Sequence, residues 1–366
     1  MPPAERSGAM NRFFATRPLR ETKSSPAAPR GAGMFPAPRA DDANYVRHGF
    51  LFRRAGFFNH VPSMKHARVV HAAAICAVLI KIAVPGTAAP VQADHRLRSI
   101  PANMVSGFFS ADTPPVLRIK SGETVAIDTI SGGGARDGED PTKFFTDNGI
   151  SLDLEVVQDI LAIRKEVKPS GIRGHMMTGP IFIEGALPGD TLEIRILDVK
   201  SRAPYGINSG RPGSGGIPDA VPRPYSKVIK FDLERQVAKF SDTIEVPLQQ
   251  FQGVMGIAPA TARGKMSSTP PYTDIGGNFD NKHLGKGATL FLPVQVEGAL
   301  FQTGDPHAAQ GNGEVSITAI ESSNTVTIQF IVRKHLPIKV ARAETPTHYI
   351  AMGLDLELNM AMRMAI

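Results

Sequence analysis

Apolar and polar residues alternate along most of the chain from about residue 116 onward. The alternation is clearest in the segments 124–129, 191–196 and 315–320. A period of two is typical of strands with one buried face, so these segments are predicted to be strands. Glycines stand at three predicted strand entries, in turns that require a positive φ. They are Gly122, Gly189 and Gly287.

Only two segments have the apolar spacing of a helix. Residues 151–167 place Val156, Ile160 and Ile163 on one face, with Ser151 as the predicted N-cap. From about residue 356 to the end, Met and Leu recur at helical spacing, and this stripe is predicted to pack into the core. The whole pattern predicts a mainly β fold, with sandwich-like or barrel-like halves and a few edge helices.

The composition is that of a folded chain whose charge is unevenly distributed. With 35 Gly and 30 Pro among 366 residues, the sequence favours many turns over a helical bundle. The net charge of +7 comes from the N-terminal part, because residues 94–366 contain 28 Lys and Arg against 30 Asp and Glu. The composition therefore argues against nucleic acid as a partner. The glycine-rich stretch 205–216 is predicted to be a long loop, a kind of segment that often lines sites.

Residues 64–93 are predicted to be a secretory signal peptide. Basic residues precede an apolar run of about sixteen residues, and small residues follow with cleavage positions after Ala89 or Ala93. The run is too short and too polar for a good membrane-spanning helix. The alternative is a buried helix at the start of a domain.

The signal peptide would divide the chain into three parts. Residues 1–63 are expected to be a disordered leader or an overlong gene model, and residues 94–366 the functional domain. That domain is expected to be periplasmic or secreted, without stable membrane anchoring. Because the single cysteine is Cys76, the mature chain has no disulfide and no cysteine nucleophile.

Candidate chemistry is concentrated in residues 304–314, GDPHAAQGNGE. Pro306 is predicted to exclude a central strand here. If the segment is extended, Asp305 and His307 point to the same side, where they can share a metal or form an acid–base pair. Glu314 is predicted to open the next strand and to return to the same cavity. The alternative is a polar loop with an incidental histidine.

Two further segments carry similar groups. Asn278 and Asp280 follow the double glycine in the stretch 274–281, whose two carboxylates and two amides form either an oxygen-ligand turn or simply an Asx-rich one. His175 precedes a predicted strand. The sequence contains no HExxH, paired CxxC, Walker A, dinucleotide-binding or G-x-S-x-G pattern. By elimination, the residues best support a hydrolytic site of carboxylates and histidine with a metal.

In this order, these segments resemble the acetamidase/formamidase family. The resemblance is carried by residues 175–190, 276–280, 292–314 and 347–350, and it extends from about residue 110 to the end. It implies a mainly β fold, a homo-oligomer, and hydrolysis of short linear amides such as formamide and acetamide to ammonia and a carboxylate. Some relatives are similar to zinc enzymes, including one that acts on a lactam.

By position, the resemblance implies that Asp280 and His307 are the central site residues, followed by Glu314. We expect both central residues to bind a divalent metal, most readily zinc, with His175 as a further ligand. Glu314 or Asp305 is expected to move the water proton. Asn278 or the backbone N–H groups of residues 311–313 are expected to hold the oxyanion. The alternatives are a metal-free amidase that uses carboxylates, and an exported non-enzymatic module that binds a small amide, sugar or metal.

The sequence departs from the family at two points. The family string usually reads Gln-Gly-Asp-Gly-Glu, and Asn312 replaces that Asp. The neutral amide argues against a metal or base role at position 312. Relatives generally continue beyond a helix like the one that ends at Ile366, so we expect either a missing C-terminal β segment or a shorter subfamily.

Overall fold

The computed structural model describes residues 91–131 and 140–366. The predictions for residues 1–63, for Cys76 and for nearly all of the signal peptide lie outside the described residues. In the two described ranges, no helix combines the length and the apolar character that crossing a membrane requires.

The described residues form many strands and few helices, which confirms the mainly β prediction. The strands are β1 (His95–Leu97), β2 (Met104–Ser106), β3 (Phe108–Phe109), β4 (Leu117–Lys120), β5 (Thr124–Asp128), β6 (Met176–Glu184), β7 (Thr191–Ser201), β8 (Tyr205–Gly210), β9 (Tyr225–Asp232), β10 (Val237–Lys239), β11 (Glu245–Pro247), β12 (Phe251–Gly256), β13 (Met266–Ser267), β14 (Pro271–Tyr272), β15 (Gly276–Asn278), β16 (Thr289–Pro293), β17 (Phe301–Ala309), β18 (Ile320–Glu321), β19 (Asn324–Arg333), β20 (Arg342–Glu344) and β21 (Tyr349–Ala351). The α-helices are α1 (Pro141–Asp147), α2 (Glu155–Glu166) and α3 (Leu358–Ala365), and short 3-10 turns occur at Pro101–Asn103, Pro218–Ala220 and Thr261–Arg263.

Most strands belong to two sheets. The first has seven strands in the order β1-β5-β19-β7-β16-β20-β21, and its neighbours are antiparallel except for β1 with β5. The second has twelve strands, nine of them in the order β11-β10-β9-β8-β18-β17-β12-β15-β14. β6 joins this sheet beside β17, and β2 and β4 pair with β6. β3 and β13 form a separate pair.

The second sheet forks along β17. Its first half pairs with β6, up to Gly304 opposite Met177, and its second half pairs with β18, from His307 opposite Glu321. β12 runs along the other side of β17 throughout. Residues 305–306 therefore lie in the gap between two neighbouring strands.

The main core contains apolar side chains from both sheets, as expected when two sheets pack face to face. Ile194 and Leu290 of the first sheet belong to the same buried cluster as Val254 of the second. The rings of Phe301 on β17 and Phe330 on β19 meet edge to face with centroids 5.0 Å apart. This core fixes β17 against the first sheet.

Helices α1 and α2 pack in a second apolar cluster with Tyr205 and Ile207. α2 confirms the predicted apolar face, but it begins at Glu155 rather than at Ser151. The Ser151 hydroxyl accepts a hydrogen bond from the Asp153 N–H instead, in a turn before the helix. The pattern missed α1, although Asp140 caps it and Pro141 starts it, both of which are ordinary helix-start signals.

Three other predictions were wrong. The Met and Leu stripe of α3 is mostly exposed, and Ala361 is the buried residue of that helix. Residues 205–216 are not one loop, because the first half is β8. Pro306 does lie inside a central strand. It is accommodated because it falls in the gap at the fork, where its missing N–H costs little and its carbonyl still accepts from Ser322 N–H at 2.9 Å.

The predicted strand 315–320 is also wrong, since β18 contains only its last residue. Glu314 and Ile317 both have positive φ values, of 43° and 57°. The Ile317 N–H donates to the Glu314 carbonyl at 2.8 Å and closes a turn. Glu314 therefore precedes a turn rather than opening a strand. By contrast, Gly122, Gly189 and Gly287 have φ values of 100°, 93° and 86°, as their turns predicted.

Candidate active site

His307 lies on β17 at the fork and is fully buried. It stands opposite Phe251 of β12, and the two rings meet edge to face with centroids 4.9 Å apart. The Nδ1 atom of His307 is 2.9 Å from Oε1 of Gln310. The amide nitrogen of Gln310 donates to the Asp280 carbonyl at 2.7 Å, which leaves its oxygen to accept from His307. His307 thus carries a proton on Nδ1 and turns Nε2 toward the cavity.

Carboxylates surround Nε2 of His307. Asp305 Oδ2 and Glu321 Oε2 are each 3.4 Å from it, and Glu314 Oε1 is 3.9 Å away. Asp280, His307 and Glu314 have one donor atom each within 4.8 Å of one another. Asp305, His307 and Glu321 meet the same criterion, so the two groups share the histidine. The structure brings together four of the carboxyl and imidazole groups that the sequence singled out, and it adds Glu321.

The backbone at three of these carboxylates is in the left-handed region. The φ values are 43° at Asp280, 53° at Asp305 and 43° at Glu314. Such a conformation costs roughly 1–3 kcal/mol for a residue other than glycine, and it persists where surrounding structure enforces it. Three such residues in one cluster point to a functional constraint.

Gly253 lets two of the carboxylates approach each other. A Cβ atom at this position would lie 2.5 Å from Asp305 Oδ2 and 2.7 Å from Asp280 Oδ1. Its carbonyl accepts hydrogen bonds from the N–H groups of Phe279 and Asp280, which holds the 276–280 turn over β12. The glycine is therefore required for space at the centre of the cluster.

A cavity of about 170 Å³ opens onto these residues. Its lining comprises Arg173, Gly174, His175, Thr269, Asn278, Asp305, Glu314, Ile317 and Glu321. Side-chain exposure rises from the deep end to the mouth: 0% for His307, 5% for Glu314, 13% for Asp305, 21% for Glu321 and 30% for His175. The cavity thus has a buried acidic end and an exposed end.

The electrostatics of the deep end are dominated by His307. Burial lowers the pKa of the imidazole, but the carboxylates of Glu321 and Asp305 outweigh burial and raise that pKa well above 6.5. The carboxylates therefore favour the cationic form of the imidazole, whose charge offsets part of the negative charge around it.

The donor set fits a divalent cation. His307 Nε2 is buried, and no described group makes a hydrogen bond of good geometry with it. One imidazole nitrogen with carboxylate oxygens is a donor set that zinc accepts. Gln310 acts as an outer partner that fixes the ring, an arrangement common around metal-binding histidines. His175 belongs to neither three-residue group; its Nε2 lies 3.7 Å from Asp305 Oδ2.

The other predicted residues lie in different surroundings. Asn278, at the end of β15, lines the cavity, and its buried Oδ1 has no hydrogen-bond partner among the described residues. The 311–313 turn is exposed and lies outside the cavity lining, so the structure does not place its N–H groups at the site.

Sequence reasoning missed Glu321, Gln310 and Gly253. Of these three, only Gln310 could have been suspected from the sequence, because it lies within the glycine-rich string 304–314.

Comparison with known proteins matches this architecture to one family. The model of the acetamidase/formamidase family matches residues 102–269 and 260–351. The acetamidase of Mycolicibacterium smegmatis is 27% identical over 199 residues, which is 39% of this chain and 49% of that protein. The formamidase of Methylophilus methylotrophus is 25% identical over 211 residues, 42% of this chain and 51% of that protein.

A solved structure gives a longer match. The crystal structure of an acetamidase from Bacillus halodurans superposes with a TM-score of 0.56 and 29% identity, covering 73% of this chain and 80% of that one. The present chain spans about half the length of the curated relatives it matches. Because the family model covers more than half of the sequence, this chain belongs to the acetamidase/formamidase family.

Proposed function

We propose that this protein hydrolyses the C–N bond of short linear amides, of the formamide and acetamide kind, to ammonia and a carboxylate. The convergence of Asp280 and His307 on Glu314, which lines the cavity, carries the proposal. The activities for which the relatives are named support it and favour hydrolysis over a non-enzymatic binding module. A cavity lined with carboxylates and imidazole also provides the groups that move protons in hydrolysis.

Asp280, His307 through Nε2, and Glu314 are the residues that would hold a divalent cation, with zinc as the expected ion. A cation bound there would lower the pKa of a water molecule and polarise an amide carbonyl. Gln310 keeps His307 in the tautomer that offers Nε2. The metal-free alternative would use the same carboxylates without a cation.

Asp305 is the best-placed group for proton transfer in this proposal. Its carboxylate lines the cavity and lies between His307 and His175, at 3.4 Å and 3.7 Å. It accepts the proton of the attacking water and returns it to the amide nitrogen, which leaves as ammonia only when protonated. Asn278 on the cavity wall donates its amide N–H to the developing oxyanion.

The proposal includes export to the periplasm or the medium, on the strength of the n-region, apolar run and small residues at 64–93. It also includes a homo-oligomer, as the family resemblance implies. N-terminal sequencing of the protein recovered from the producing cells tests export, and light scattering tests assembly.

The activity test compares two histidine variants. His307→Ala should lower the rate of ammonia release from acetamide at least about a hundredfold, as expected for a group at the reacting centre. His283→Ala, which removes an exposed histidine outside the cavity, should match the wild type. Circular dichroism verifies that both variants fold. Wild-type turnover in His307→Ala would overturn the site. No ammonia from folded, zinc-supplied wild type would favour the binding module.

A further inference from the structure

A basic side chain lines the mouth of the cavity and is not used by the proposed reaction. Arg173 is exposed, and its guanidinium makes no ion pair or hydrogen bond with any part of the chain that the structure describes. Its backbone is fixed: the Arg173 carbonyl accepts from the hydroxyls of Ser267 and Thr269, at 2.6 Å and 3.1 Å. The adjoining Gly174 packs so tightly that a Cβ atom there would be 2.4 Å from the Gly107 carbonyl oxygen. The arginine is therefore held at this place with its charge available.

The cavity is larger than the smallest amides require. A water molecule takes up about 15 Å³ of such a cavity, so a volume of about 170 Å³ has room for about ten water molecules. Formamide has three non-hydrogen atoms and acetamide four, so each takes the place of only a few of these waters and leaves part of the cavity free. The space between His175 and the mouth can therefore hold a longer acyl chain.

The charges are arranged in order of depth. Asp305, Glu314 and Glu321 lie toward the inner end, and Arg173 lies at the mouth. Ile317 is the apolar member of the lining, and its φ of 57° is unusual for a β-branched residue. A ligand that fits this order has a neutral amide inside, a short aliphatic chain beside Ile317, and a negative group outside.

We propose that the site accepts amides whose acyl chain ends in a carboxylate, the monoamides of short dicarboxylic acids, and that Arg173 binds this carboxylate. The guanidinium can form two parallel hydrogen bonds with a carboxylate, whereas the ammonium group of a lysine cannot form this planar pair. The reaction rests on the proposed amide hydrolysis, whereas the carboxylate contact can be measured without turnover. Arg173 acts in this proposal on specificity and leaves the chemical step to the residues at the deep end.

The turnover test uses two amides that differ only at the distal end. Succinamate ends in a carboxylate, and butyramide ends in a methyl group at the same position. Arg173→Gln should lower kcat/KM for succinamate about ten- to a hundredfold, the usual effect of losing a charged hydrogen bond, and leave butyramide close to wild type. Arg223→Gln is the matched control, because it removes an exposed arginine outside the cavity lining. Equal losses for both amides would overturn the proposal.

The binding test uses ketones that an amidase cannot hydrolyse. Levulinate has the shape of succinamate with a methyl group in place of the amide nitrogen, and 2-pentanone lacks its carboxylate. Calorimetry on the full chain should show levulinate binding weakened at least about tenfold by Arg173→Gln and unchanged by Arg223→Gln. Levulinate that binds no better than 2-pentanone would overturn the proposal. Arg173-dependent levulinate binding without hydrolysis of any amide would overturn the proposed function and keep the carboxylate site.

Discussion

Gln310 and His307 form one unit, although Gln310 lies just beyond the end of β17. The Gln310 oxygen accepts from Nδ1 of His307 at 2.9 Å, while the Gln310 amide nitrogen donates to the Asp280 carbonyl at 2.7 Å. One side chain therefore sets the imidazole tautomer and connects the histidine strand to the Asp280 turn. This relationship makes Nε2 the atom that faces the four carboxylates.

Replacing Gln310 by Leu should weaken zinc binding about ten- to a hundredfold, because the ring loses the partner that orients it. Competition with a chromophoric chelator measures the affinity. Gln249→Leu is the control, since Gln249 is exposed and outside the cavity lining. Equal affinities in Gln310→Leu and the wild type would show that the tautomer is set in another way.

Gly253→Ala should reduce amide turnover about a hundredfold, because the added methyl group displaces the Asp305 and Asp280 carboxylates by the order of an ångström. Gly311→Ala is the matched control near the same site, since a Cβ there meets nothing within 4 Å. Steady-state ammonia release measures both variants. A fully active Gly253→Ala would mean that these two carboxylates need not approach so closely.

The attachment of α2 gives a stability prediction. Asp159 pairs with Arg202 at 2.6 Å, and both side chains are only 8% exposed. Asp159→Ala leaves a buried guanidinium with the more distant Asp128 carboxylate at 3.8 Å, so the free energy of unfolding should fall by about 3 kcal/mol. Urea denaturation measures the change. Asp147→Ala, at an exposed pair with Lys143, should leave stability unchanged within error.

A pH dependence follows from Glu193. Burial raises the pKa of this carboxyl, but hydrogen bonds from Arg333 and Arg195 outweigh burial and bring the pKa below its ordinary value of 4.5. A depressed folded-state pKa stabilises the fold above the unfolded-state pKa, and this contribution is lost as the pH falls through the folded-state pKa. Glu193→Gln should therefore be less stable than the wild type at pH 7, and the difference should shrink below that ordinary value. Urea midpoints across this range test the sign; a constant difference would contradict it.

The sequence predicted structure correctly where the pattern depends only on neighbouring residues. Alternation located β5 and β7, and the turn glycines located strand entries, because both depend on neighbouring residues. The string 304–314 indicated that Asp305 and His307 meet, and Asp305 Oδ2 and His307 Nε2 are 3.4 Å apart, although Asp305 has a φ of 53° and is not in the extended conformation on which the prediction relied.

Contacts that depend on the register between strands could not be predicted from the sequence. Glu321 reaches the site because β18 pairs with β17 opposite His307, and no local pattern encodes that pairing. The alternation at 315–320 misled because Glu314 and Ile317 adopt left-handed conformations that end the period-two geometry. The prediction that Pro306 excludes a central strand failed for a related reason. A proline is accepted at this position of β17 only because the sheet forks there.

The most direct test of the central claim follows ammonia release from acetamide by the full chain through removal and return of a metal. Rates are measured on the protein as purified, after exhaustive treatment with a chelator, and after one equivalent of Zn²⁺ is added back. Our account predicts that activity disappears with the metal and returns with zinc, and that His307→Ala does not recover. Unchanged turnover in protein from which the metal has been removed would contradict the metal site and support the metal-free carboxylate alternative.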